Sequence, residues 1–202
     1  HGHKKYLLPK ITGTEWLYLS ELGSGYEALF KQLPDFIRAH KIKLAFNPGA
    51  IQIKAGAAAL SPLLKTTEVL FVNLEEAHAL LGEKNGQPLE RLIKMLWKYG
   101  PATVVITDGA RGAYAFDGGE IIYAPARPVK PIETTGAGDS LGASVVSALR
   151  YGKTLPVALA WGMVNAASVI MKVGPQPGLL TKNALERALK NKKTVSAGSK
   201  TF

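Results

Sequence analysis

Cysteine is missing from the 202 residues, which excludes disulfide staples and thiolate metal sites and fits a reducing compartment. No apolar run approaches the roughly 20 residues that span a bilayer, and no secretory signal pattern is present. A cytoplasmic chain with no membrane partner is the expectation. Acidic residues are scarce: 15 Asp and Glu stand against 25 Lys and Arg, a formal net charge of +10. Such a surplus suits nucleic acid, anionic small molecules or solubility alone. No aromatic-studded basic ribbon of the kind that stacks bases is present, so a nucleic-acid role is the disfavoured reading. The densest basic segment, "KNKKTVSAGSKTF", reads as a frayed tail over 192–202. His1 and His3, in the opening "HGHKKY", are read as incidental rather than as a metal pair. Internal repeats and linkers are absent too.

What is present is a sizeable apolar fraction, 47%, enough for a buried core. Short strand-like runs alternate with helical ones. "WLYLS", "IKLAFN", "EVLFVN" and "TVVIT" read as strands. "SGYEALFKQLPDFIRAHK" carries helical spacing, with Pro34 as a point where the helix kinks or restarts. A further helical stretch ends near Leu64. "LEEAHALLG" is a helix stopped by Gly82, and "PLERLIKMLWKYG" is amphipathic. This alternation predicts βαβ units: an α/β fold with a three-layer, mainly parallel doubly wound sheet and helices on both faces. Ala113 to Ala124 reads as a hairpin, and helices are expected near 138–152, 154–172 and 181–191. One α/β domain over 1–202 is the expectation.

The stretch "PIETTGAGDS" places Gly136, Ala137 and Gly138 directly before Asp139 and an apolar helical run. If it opens a helix, the first N–H groups lack intrahelical partners and carry the positive end of the dipole. Small residues there let a phosphate approach the amides. Asp139 sits in the first turn, where it can orient a hydroxyl and take its proton while the amides hold charge on a moving phosphoryl group. An N-capped helix with a glycine lead-in is the plainer account of the short string and, taken alone, the favoured one. The G-x-x-x-x-G-K-[ST] loop is absent, so this is no P-loop.

The longer string "ETTGAGDS" closely resembles the D-T-x-G-A-G-D signature of the ribokinase-like (PfkB) family of sugar and nucleoside kinases. Other segments are similar to that family in its own order. "VLFVNLEEAHALLG" resembles its N-x-x-E segment at Asn73 and Glu76. "VVITDGARGAYAF" resembles the turn that holds nucleotide phosphates, through Thr107, Gly109 and Gly112. "VNAASVIMKVGPQPGLL" is similar to the helix flanking adenine, with Asn165 at the contacting position. The resemblance runs from Trp16 onward and implies ATP-dependent phosphorylation of a hydroxyl on a sugar, nucleoside or related alcohol. It makes Asp139 the base, gives the anion hole to Gly136, Ala137, Gly138 and Asp139, and places Glu76 near Mg²⁺ through water with Asn73 in support. Taken singly, each has a plainer reading: Asn73 as a helix cap, Glu75 and Glu76 as dipole partners, "TDGARG" as a turn, and Asn165 as an ordinary polar helix residue.

Two departures qualify the resemblance. Glu133 stands where the family has Asp, which puts a monovalent-cation site in doubt, and Leu141 stands where Phe is common. The family's N-terminal sugar-binding portion and lid have no counterpart, so the chain is expected to be the nucleotide-side part of a longer kinase. Its exposed sheet edge is then expected to meet a second copy or another chain. A nucleotide-binding piece that does not itself catalyse is the alternative.

Overall fold

The computed structural model describes residues 6–8, 10–83, 86–190 and 198–199. His1, His3 and the basic tail lie outside them, except that Gly198–Ser199 form a short strand. The chain groups into two compact units, His1–Ile106 with Phe116–Gly118, and Thr107–Ala115 with Gly119–Phe202. Among the described residues no helix is long and apolar enough to cross a membrane.

The first unit is a succession of strands and helices. Strands β1 (Trp16–Leu19), β2 (Lys43–Phe46) and β3 (Thr67–Asn73) pair side by side and parallel, with Trp16 opposite Lys43 and Ala45 opposite Val69. Strand β4 (Thr103–Thr107) lies beside β3. The amide of Ala102, just before β4, donates to the Thr67 carbonyl at 3.0 Å. The strands bury nearly unbroken apolar runs: Leu44, Ala45, Phe46, Val69, Leu70, Val104, Val105 and Ile106 are all fully buried. Parallel strands covered on both faces carry this texture.

Helix α1 (Glu27–His40) runs through Pro34 without interruption. A proline inside a helix costs about 3 kcal/mol in lost hydrogen bonding and crowding. Burying Leu29, Phe30, Leu33 and Ile37 on the same stripe contributes about 1.5–3 kcal/mol each, so packing decides the outcome. The helix does not restart there. The helical stretch before Leu64 is instead two helices, α2 (Ala50–Ala55) and α3 (Ala57–Leu64), broken at Gly56 with φ +84°. Helices α4 (Leu74–Leu81), closed by left-handed Gly82, and α5 (Leu89–Trp97) complete the unit.

In the second unit, β5 (Ala113–Phe116) and β6 (Ile122–Ala124) form the expected antiparallel hairpin, and β7 (Gly198–Ser199) adds to β6. Helices α6 (Ala137–Arg150), α7 (Leu155–Val169) and α8 (Lys182–Lys190) follow. Helix α7 is buried nearly all round and packs on α6, α8 and β6. The α6–α7 contact is close because Gly162 has no side chain: a Cβ there would stand 2.9 Å from Leu141 Cγ and 3.1 Å from the Leu141 carbonyl oxygen. Leucine at 141 thus fits against a glycine that leaves it little room.

Candidate functional site

The glycine cluster does open a helix. Gly136 takes the left-handed conformation, φ +81°, which glycine alone adopts freely. Space forbids another residue as well, since a Cβ at 136 would lie 2.6 Å from Pro175 Cβ. The Ala137 N–H donates to the Thr134 carbonyl at 3.2 Å, and the Ser140 N–H to the Gly136 carbonyl at 2.9 Å. That leaves the N–H groups of Gly138 and Asp139 with no acceptor among the described residues. A Cβ at Gly138 would meet nothing within 4 Å, so the approach is open. Asp139 lies exposed in the first turn.

This helix start borders a cavity of about 430 Å³ that lies wholly within the second unit. One wall is apolar: Leu141, Met163, Ala166, Ala167 and Ile170. Another is the turn after β4, where Thr107, Gly109 and Gly112 line the space. That turn is stapled from outside. Arg111 donates to both Asp108 carboxylate oxygens, at 2.6 and 2.7 Å, and the Tyr123 hydroxyl donates to the Arg111 carbonyl at 2.9 Å. Thr134, Ala137, Gly138 and Arg127 contribute the remaining polar and small surface. Among the residues expected to act together, Thr107, Gly109, Gly112, Ala137 and Gly138 are brought to one cavity.

Asn165 is not. It is 4% exposed, and its amide is consumed inside the protein. Its Nδ2 donates to Ser144 Oγ at 2.7 Å and more weakly to the Ser140 carbonyl at 3.4 Å, while its Oδ1 accepts the Leu180 N–H at 2.9 Å. The structure therefore makes Asn165 a brace between α6, α7 and the segment before α8. Its neighbours Met163, Ala166, Ala167 and Ile170, spaced i, i+3, i+4, i+7, face the cavity instead. That spacing in "MVNAASVI" is a legible helical stripe, and reading Asn165 as the contact overlooked it. Asn165→Ala should strand the Leu180 N–H, while the Ser144 hydroxyl keeps its own bond to the Ser140 carbonyl at 2.7 Å. A buried group left unpaired costs about 1–3 kcal/mol, so a loss of about that size is expected in urea unfolding. Faster hydrogen exchange at Leu180 would place the damage, and unchanged exchange there would refute the brace.

Glu133 shows what its extra methylene does. Its Oε2 accepts the Gly174 N–H at 2.8 Å, tying the lead-in of α6 to the loop after α7. That bond first, and a hydrogen bond from Thr135 second, hold the carboxyl below the usual glutamate range. The carboxylate at the position where the family has Asp is thus engaged with an amide.

In the first unit, Asn73 and Glu76 form a capping box on α4. Asn73 Oδ1 accepts the Glu76 N–H, and Glu76 Oε2 accepts the Asn73 N–H, both at 2.8 Å. The cap reading of Asn73 is therefore realised. Burial, foremost, raises the Glu76 carboxyl above its usual range; the Asn73 N–H opposes this, and the charges of Glu75 and Glu21 add to it. A raised folded value means stability is lost as pH climbs through it. Glu76→Gln keeps an oxygen for the cap and removes the charge. Stability at pH 7 should stay level or rise, on the order of half a kcal/mol, with the difference vanishing below pH 4; a clear loss at pH 7 would contradict this.

Comparison with known proteins fits this geometry. Over 89 residues the chain is 36% identical to the ribokinase of Bacillus subtilis strain 168, covering 44% of this chain and 30% of that one. Over 114 residues it is 35% identical to the fructoselysine 6-kinase of Escherichia coli K12, covering 56% and 42%. The structure of Arabidopsis thaliana ribokinase complexed with ribose and ATP superposes with a TM-score of 0.71 at 20% identity, over 81% of this chain and 53% of that one. This likeness shows the expected ribokinase-like α/β fold. The chain spans about half the length, or less, of the curated relatives it matches. The description "pfkB family carbohydrate kinase" matches residues 11–182, and the chain belongs to that family.

Proposed function

We propose that the chain binds ATP in the cavity of the second unit and serves transfer of its terminal phosphoryl group to the hydroxyl of a sugar, nucleoside or related alcohol. The observation that carries this reading is the start of α6, where the Gly138 and Asp139 amides have no acceptor among the described residues and Gly138 lines a cavity with an apolar wall. The wall of Met163, Ala166, Ala167 and Ile170 suits a purine face. The helix start suits the phosphates.

In the proposed step the acceptor oxygen attacks the γ-phosphorus and a new P–O bond forms. The bond to the β,γ-bridging oxygen breaks, ADP leaves, and the hydroxyl proton passes to the Asp139 carboxylate. The α6 amides stabilise charge on the equatorial oxygens without having to reorganise. Mg²⁺, when bound, would neutralise phosphate charge. Glu76, in the first unit, is the residue the family resemblance offers for that ion; one of its oxygens is spent on the cap of α4. With Glu133 committed to Gly174, a monovalent cation would have to draw on other oxygens.

The test is equilibrium binding of ATP with Mg²⁺, followed by transfer from γ-labelled ATP to a panel of sugars and nucleosides. Binding and transfer are expected. Binding without transfer to any acceptor would favour the narrower reading, a nucleotide-holding piece of a longer kinase. No binding would overturn both.

A further inference from the structure

One charged side chain lines the cavity among the described residues: Arg127, half-buried and without an ion pair. The contrast with Arg111 is informative. Both arginines border the turn after β4, yet Arg111 is forked onto Asp108 at 2.6 and 2.7 Å. Arg127 follows Ala126, whose backbone nitrogen would stand 2.9 Å from a Cβ on Gly112. The turn thus has one guanidinium neutralised outside the cavity and one offered to it. A partly desolvated guanidinium without an anion is unfavourable, and its planar fork matches two phosphate oxygens.

We propose that Arg127 is a specificity residue for the phosphoryl donor: its guanidinium pairs with phosphate oxygens of the bound nucleotide, so that the cavity selects phosphorylated nucleotides over the bare nucleoside. This rests on the reading of the cavity as the nucleotide site. Phosphate is favoured over stacking on the base because the cavity already has an apolar wall for a ring and no other cationic side chain to meet the donor's charge.

The test is calorimetric binding of ATP and of adenosine to the unaltered chain, Arg127→Gln and Arg127→Lys, at two salt concentrations. Losing a charge-assisted pair should weaken ATP about 10- to 100-fold. Adenosine should stay within about twofold, and the salt dependence of ATP binding should flatten. Arg127→Lys should recover part of the loss, because it keeps the charge but not the fork; it also decides the matter if the Gln variant does not fold. Equal weakening of ATP and adenosine would assign Arg127 to the base or to the fold and overturn the proposal, as would undiminished ATP binding. Failure of the unaltered chain to bind ATP would overturn the cavity's assignment itself, and Arg127's role with it.

Discussion

Asp139→Asn is expected to slow phosphoryl transfer by about 100- to 10,000-fold, the usual contribution of a positioned general base, while ATP binding changes little. The substitution is nearly isosteric. Asp139 lies exposed in the first turn of α6, so the fold should lose at most about 1 kcal/mol of charge–dipole interaction. The amides of Gly138 and Asp139 remain, because they belong to the backbone. On the proposed reading, what disappears is the proton acceptor, and with it the group that would turn the acceptor hydroxyl toward the phosphorus. A fall in kcat with KM for ATP preserved is the signature. Turnover equal to the unaltered protein's would remove Asp139 from the reaction.

Gly112→Ala should have the largest effect on stability. Gly112 has φ +109° and ψ −149°, a region essentially reserved for glycine. A Cβ would also stand 2.3 Å from the Ala124 carbonyl oxygen and 2.9 Å from the Ala126 nitrogen, both backbone atoms of the chain beside it. Backbone strain of about 1–3 kcal/mol and overpacking of similar size combine to roughly 2–5 kcal/mol. That is a large share of the 5–15 kcal/mol typical of a whole domain. Gly109→Ala, in the same turn, is the internal control. Its φ of +51° is ordinary left-handed backbone and a Cβ meets nothing within 4 Å, so a loss of about 1–2 kcal/mol is expected. Urea midpoints for the two variants check the ranking, and equal midpoints would show that the clash at Gly112 is absorbed by movement.

These contrasts mark what was readable in advance. The strands β1 to β4 announced themselves as short apolar runs, and Gly82 ended α4 where its position promised, because local sequence carries both signals. The start of α6 was legible for the same reason. Pro34 does not divide α1 because its cost is local whereas the burial that outweighs it comes from the rest of the unit. Gly56, dividing α2 from α3, was overlooked because a single glycine in an apolar stretch is compatible with a continuous helix. Asn165 was a polar residue assigned outward by resemblance. Its partners Ser144 and Leu180 sit on other segments, and no local pattern shows that they satisfy its amide. Arg127 escaped notice because what distinguishes it is the lack of a carboxylate near it in space.

The contact between Gly136 and Pro175 has a wider meaning. The orientation of the two open amides on α6 is fixed partly from across the fold, by a proline in the connection between α7 and α8. The Glu133–Gly174 bond and the Ile132 amide on the Ile170 carbonyl, at 2.7 Å, hold the same two stretches together. On the proposed reading, remodelling that connection is a way to retune anion affinity with no change at the anion itself. Positions 133, 136, 174 and 175 should drift through evolution as a set, and a double-mutant cycle between Glu133 and Pro175 would measure how firmly they are bound to one fate.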